Sequence, residues 1–215
     1  MSSVGPILVD YFSDPLCVWS WSIQDRIERL QAEFGDRVVI RYRMLPLYRS
    51  LAVYTDLARA GAKSSVEEIA REWEETARAT GVTVDVQLWS GDPPSSTWPA
   101  CKAVKAAAVQ SGRLAEIYLK RLRVAAMTER QNIARAIILM RLAGHVGLDR
   151  EQFTRDVRAR ERTREIMQDI REARRNNITT RPTLLLHTAD DKILISGLRS
   201  YDLFRQAVQT LLAEG

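Results

Sequence analysis

The chain has 215 residues, 46% of them hydrophobic and 27% charged, and a net charge of +5 from 32 basic and 27 acidic side chains. A chain of that length buries a core without disulfide or metal staples, and the balance is that of an ordinary soluble globular protein rather than a disordered one. The basic residues are interleaved with acids, as in RDVRARERTREIMQDIREARR, so they read as a solvated, ion-paired helix face and argue against a nucleic-acid binder.

At the N-terminus, MSSVGPILVDYF has no basic n-region, no long apolar region and no small-residue cleavage site, and so does not read as a secretory signal. PILVDYF is a short β-branched and aromatic run that ends at Ser13-Asp14-Pro15, a strand followed by a turn. Trp21, Ile23, Ile27, Leu30 and Phe34 then recur at helical spacing, predicting one helix from Val18 to Phe34 with Gly35 as its stop. RVVIRYRML alternates as a second strand ended by Pro46, and the strand–helix–strand order predicts a parallel pair.

The middle of the chain, residues 56–177, reads as helices. One runs from about Ser65 to Thr80 before Gly81, and VTVDV after it is a weak strand candidate. WPACKAVKAAAVQS, RLAEIYLKRLRVAAM and IARAIILMRLAGHV follow, the last capped by Asn132 and ended by Gly147. DREQFTRDVRARERTREIMQDIREARRNN adds one or two more. PTLLLHT, a turn at Ala189-Asp190-Asp191, and KILISG form an antiparallel hairpin. RSYDLFRQAVQTLLAEG closes as an amphipathic helix capped by Ser200, with Leu203, Phe204, Ala207 and Leu211 inward. The expectation is an α/β fold: a four-stranded mixed sheet in βαβ–ββα order, built from residues 1–55 and 178–215, with residues 56–177 as an inserted helical domain. No apolar run reaches the length of a membrane span.

Two cysteines, Cys17 and Cys101, are too few for a disulfide framework, so a reducing, cytoplasmic setting is the default. The two histidines, His145 and His187, give no zinc pattern with them, and no metal is expected. Cys17 stands where the first strand hands over to the first helix. Unpaired amide groups and the helix dipole favour an anion there, which biases a thiol toward thiolate; the bland alternative is a small buried hydrophobe. Pro182 in TTRPT cannot sit inside a central strand and belongs at its edge or start, where the Thr180–Arg181 backbone would face Cys17 if the Arg181–Pro182 bond were cis; on composition alone a trans proline opening the strand is the stronger reading. Arg181 would supply positive charge to a thiolate or carboxylate, or else point to water. Trp19 would shape a substrate groove, whereas Trp21 starts the apolar stripe of its helix and reads as core. Cys101, in an Ala-rich helix start, reads as buried and structural rather than as a delivered second thiol. His145 and His187 read as structural or capping residues. Asp10, inside the first strand, reads as exposed or arginine-paired, with proton transfer as the sharper alternative.

Taken together, DPLCVWSW at the strand–helix junction, the late RPT strand and the terminal SGLRSYDLFRQAV resemble the thioredoxin superfamily. More narrowly the chain resembles the DsbA-like branch, in which a helical domain interrupts the thioredoxin core, and the match spans essentially the whole chain, SSTWPACKAVKAAAVQ in the inserted helices included. The resemblance implies that Cys17 is the nucleophilic cysteine, that Ser20 replaces the resolving cysteine of the usual C-x-x-C, and that Pro182 is the cis-proline beside the site. It implies a monothiol thiol–disulfide oxidoreductase whose Cys17 forms mixed disulfides with a protein or with glutathione, the latter as a co-substrate rather than a bound cofactor. Two other functions share the fold: a glutathione transferase or isomerase of the kappa or hydroxychromene-carboxylate type, and a non-catalytic adaptor for protein clients.

Overall fold

The computed structural model describes residues 5–54 and 65–214. Strand β1 (Ile7–Ser13) lies parallel to β2 (Val38–Met44), with Ile7 opposite Val38 and Ser13 opposite Met44. A parallel pair needs a crossover, and here it consists of α1 (Val18–Trp21), α2 (Gln24–Phe34) and a 3-10 turn at Gly35–Arg37. β3 (Thr183–His187) runs antiparallel to β1, and β4 (Lys192–Ser196) antiparallel to β3. The sheet order is therefore β2-β1-β3-β4, the mixed four-stranded sheet expected from the sequence. Between β2 and β3 stand α3 (Val66–Thr80), α4 (Gln87–Gly91), α5 (Trp98–Gln110), α6 (Gly112–Thr128), α7 (Ala136–His145), α8 (Arg150–Arg158) and α9 (Arg160–Arg175), and α10 (Tyr201–Glu214) closes the chain. The boundary placed at residues 55 and 56 lies outside the described residues.

Alternation along β1 divides the sheet into two faces. Ile7, Val9 and Tyr11 pack with Ile23, Ile27 and Leu30 of the crossover and with Phe204, Val208 and Leu211 of α10. Phe12, on the opposite face, packs with Leu185 and with Ala173 of α9. Asp10 shares that second face. It accepts two hydrogen bonds from Arg41, at 2.8 and 2.6 Å, and one from Arg43 at 2.6 Å, while His187 Nε2 lies at 3.2 Å. Arg43 also reaches Asp169 of α9 at 3.3 Å, and Lys105 of α5 meets Asp169 at 2.5 Å. A chain of charges therefore ties the sheet to the helical lobe. Burial alone would raise the Asp10 pKa, but the bonds and charge of Arg41 and Arg43 outweigh it and hold the pKa below the usual carboxylate value.

Several local expectations are corrected. The helix expected over Val18–Phe34 breaks at Ser22–Ile23, where the Ser22 hydroxyl donates to the Trp19 carbonyl at 2.8 Å and Ile23 leaves helical geometry. VTVDV forms no strand; its Asp85 N–H is satisfied instead by the Met127 carbonyl at 2.6 Å. Asn132 does not cap its helix, which starts at Ala136 after Arg135. The Asn132 side-chain oxygen Oδ1 accepts from Ala134 N–H at 2.9 Å, making a local turn. Leu203 is 39% exposed, and the inner face of α10 is Tyr201, Phe204, Ala207, Val208 and Leu211. Trp21 is only half-buried, because its indole N–H reaches out to the Thr83 carbonyl at 3.1 Å. The helix starting at Ser65 forms with a full capping box between Ser65 and Glu68 and ends at Gly81, whose φ of 77° is one that glycine adopts without strain.

Candidate active site

Cys17 is the N-cap of α1 (φ −79°, ψ 112°), and its backbone N–H closes the Asp14-Pro15 turn by donating to the Asp14 carbonyl at 3.2 Å. Its side chain is 4% exposed. The thiol points across to the start of β3 and donates to the Arg181 carbonyl at 3.8 Å. The Arg181–Pro182 peptide bond is cis. Pro182 is buried at the head of β3, and its carbonyl accepts from Gly197 N–H at 2.8 Å, while Thr180 is exposed beside it and its carbonyl accepts from the Thr183 hydroxyl at 3.0 Å. Residues 164 positions apart are thus brought into contact by the pairing of β1 with β3.

The electrostatics depart from the thiolate expected at a helix N-terminus. Burial pushes the Cys17 pKa up, and this influence is the largest. The Ser20 hydroxyl and backbone pull it down, Asp14 pushes it up again, and Arg181 pulls it down; the result lies above the ordinary thiol value. The physical reason is local. α1 is four residues long, so little dipole accumulates behind the sulfur, and water is nearly excluded. Ser20 is fully buried and its hydroxyl has no regular hydrogen-bond partner among the described residues, which leaves it available to a charge forming on the sulfur.

Asp14 is the second buried group of the site, at 0% exposed. It accepts from Leu16 N–H at 2.6 Å, from Leu47 N–H at 3.0 Å and from the Cys101 thiol at 3.5 Å. Burial raises its pKa, opposed by the Thr97 hydroxyl, the two backbone bonds and the charge of Arg181. Cys101 is fully buried against it, and its pKa is raised well above the ordinary thiol value, first by burial and then by Asp14. Cys101 is thus buried as expected, with a link to the active-site turn that the sequence did not suggest. Arg181 does not point to water: its Nη2 donates to the Pro46 carbonyl at 3.5 Å, and its Nε is buried with no partner among the described residues.

Below the site lies a residue absent from the sequence candidates. Arg123 of α6 is fully buried and donates to Gln24 Oε1, to Ser13 Oγ and, at 3.5 Å, to Tyr11 Oη; Tyr11 in turn donates to the Ser20 carbonyl at 3.3 Å. These acceptors are all neutral. The signal was present, since Arg123 falls one turn beyond Leu119 and one turn before Ala126, on the buried stripe of its helix. Above the site, Trp19 lines a cleft with Cys17, Tyr48, Tyr54 and Trp73, and its indole N–H donates to Glu72 at 2.7 Å. Of the remaining candidates, His187 and Asp10 belong to the ion network described above, on the mid-section of the sheet, and His145 ends α7; none of the three lines the Cys17 cleft.

Comparison with known proteins places this geometry. A family model described as Thioredoxin matches residues 11–206, and the chain belongs to that family. It is 24% identical over 214 residues to a ClpXP adapter protein, SpxH, of Bacillus subtilis, covering 97% of this chain and 69% of that one. Its fold is also that of the cytosolic disulfide reductase DsbM from Pseudomonas aeruginosa, with a TM-score of 0.78 at 19% identity over 97% of this chain and 100% of that one. The same reductase solved with GSH superposes at a TM-score of 0.70, with 18% identity over 94% and 93% of the two chains. Among the described residues no helix is long and apolar enough to cross a membrane.

Proposed function

We propose that this thioredoxin-family protein is a DsbA-like monothiol that exchanges disulfides through Cys17, with glutathione or a protein disulfide as its reaction partner in the cytoplasm. The observation that carries the reading is the placement of the Cys17 sulfur against the Arg181 carbonyl, with Thr180 exposed beside it and Arg181 Nε without a partner among the described residues. An extended disulfide-bearing peptide laid along Thr180–Arg181 brings its sulfur to Cys17. The Arg181 guanidinium suits a carboxylate of glutathione.

The chemistry follows from one thiol. Cys17 loses its proton to solvent base, and the thiolate attacks one sulfur of the incoming disulfide; a new S–S bond forms to Cys17 and the other sulfur leaves as thiolate. Ser20 has no sulfur with which to release the adduct, so a second external thiol, glutathione by class, attacks it, frees Cys17 and is itself oxidised. As charge forms on the sulfur, the thiol's bond to the Arg181 carbonyl is lost, while the Ser20 hydroxyl and the Arg181 charge compensate. Incubation with oxidised glutathione followed by intact-mass measurement tests this. One adduct should form on the wild type and none on Cys17→Ser. A wild type that takes no adduct even at alkaline pH overturns the reading. Glutathione retained equally by Cys17→Ala reassigns the site to a transferase or isomerase type.

A second reading has its own observation. A thiol that burial and Asp14 hold protonated suits a retired redox site, and an SpxH adapter protein is among the chain's relatives. A Cys17→Ser protein that still captures its client at full affinity establishes the adaptor.

A further inference from the structure

The outer side of α5 carries a surface that the thiol chemistry does not use. Cys101 turns inward to Asp14, whereas Lys102 faces a cleft of about 460 Å³ walled by Trp98, Leu139, Met140 and Val157. The Arg49 guanidinium lies over the Trp98 ring at 4.5 Å and forms part of the same wall. Thr163 is shared with an adjoining cleft of about 510 Å³ along α9, which carries Arg160, Arg164 and Arg171 around Met167.

Among the described residues no aspartate or glutamate lines either cleft. That is unusual on this lobe, where Arg121 meets Glu129 at 2.7 Å, Arg130 meets Asp85 at 2.5 Å and Arg135 meets Asp92 at 2.7 Å. The interleaved charge read from the sequence separates in part here. On α9 Asp169 turns toward Lys105 and Arg43 and Glu165 toward Arg162, while Glu161 pairs with Arg164 at 3.2 Å. Arg160 and Arg171 are therefore the cleft cations of α9 without an acidic partner among the described residues. What remains is an apolar slot at one end and a row of cations leading away from it. Arg160 to Arg171 alone covers about 16 Å of helix, a span that suits a peptide rather than a small molecule. Charge complementarity calls for acidic side chains along that row, and the aromatic and thioether walls call for a large apolar anchor at its end.

We propose that the joined clefts dock an acidic segment of a partner protein, its apolar anchor seated against Trp98 and Met140 and its carboxylates facing Lys102, Arg160 and Arg171. The site is independent of Cys17, so its test does not depend on the thiol reading. The probe is a fluorescent synthetic peptide of about a dozen residues, rich in glutamate with two leucines, titrated with the full chain and followed by anisotropy. Binding should be saturable, weaken with salt, and fall by roughly tenfold or more in Lys102→Glu/Arg171→Glu. It should also fall when the leucines become serines. Glutathione adduct formation at Cys17 should be unchanged. Should that variant lose its far-ultraviolet circular dichroism, the exposed pair Arg160→Gln/Arg171→Gln replaces it, with the same direction expected. No saturable binding, binding unaffected by either variant, or equal binding of the leucine-free peptide overturns the proposal. Tighter binding of a single-stranded oligonucleotide, lost in the same variants, also overturns it and assigns the row of cations to nucleic acid.

Discussion

Replacing Asp14 by asparagine removes a buried charge from behind Cys17 while keeping the side-chain shape. Oδ1 still accepts from Leu16 N–H at 2.6 Å. The new amide nitrogen stands where Oδ2 was, facing two donors, the Leu47 N–H at 3.0 Å and the Cys101 thiol at 3.5 Å. Leu47 N–H keeps a second acceptor in Thr97 Oγ1 at 3.1 Å, so the loss is a shared backbone bond and a weak thiol bond. A deficit of that kind costs about 1–3 kcal/mol, partly offset because a desolvated carboxylate is gone. For a chain of this size the thermal midpoint should fall by about 2–4 °C for each kcal/mol lost. The reactivity should move the other way. Asp14 raises the Cys17 pKa, so its removal increases the thiolate fraction at neutral pH. Iodoacetamide alkylation, measured by intact mass in a Cys101→Ala background so that one thiol reports, should accelerate several-fold. An alkylation rate equal to or below that of the parent, with the fold intact by circular dichroism, refutes the assignment of Asp14 as a charge that adds to burial in raising the Cys17 pKa.

Three further outcomes are expected. Alkylation of Cys17 in the unmodified protein should be slower than that of free glutathione at pH 7 and should still be rising above pH 9, since its pKa lies above the ordinary thiol value of 9.0; a plateau near neutrality contradicts this. Ser20→Cys restores a dithiol in a fully buried position of matching size; under oxidised glutathione the mixed disulfide should give way to an internal bond between Cys17 and the introduced thiol, read as loss of the adduct mass, and a persistent adduct would show that position 20 cannot reach the sulfur. Asp10→Ala strips the anion from Arg41, Arg43 and His187, and should cost about 2–4 kcal/mol by urea denaturation, a buried-pair figure reduced because both arginines are partly exposed. The folded pKa of Asp10 lies below 3.8, so its contribution is whole above that pH and lost as pH falls through the folded value; Asp10→Asn should flatten the acid limb of the stability curve.

Much of the architecture was legible because it rests on local periodicity. The β-branched and aromatic run of β1, the Gly81 end of α3 and the hairpin at Ala189–Asp191 depend on residues within a few positions of one another. Expectations failed where a distant partner decided the outcome: VTVDV is held by a carbonyl of α6, Trp21 turns outward to a loop carbonyl, and Leu203 sits one position off the buried face. The sequence by itself determined that Cys17 stands at a strand-to-helix turn, that Ser20 cannot serve as a second thiol, and that a proline opens the late strand. Only the tertiary structure decided the state of the sulfur. Its pKa is set by burial, by Ser20, by Asp14 and by an arginine brought across the sheet, and solvent exclusion and through-space charge are properties of where chain segments meet rather than of their order.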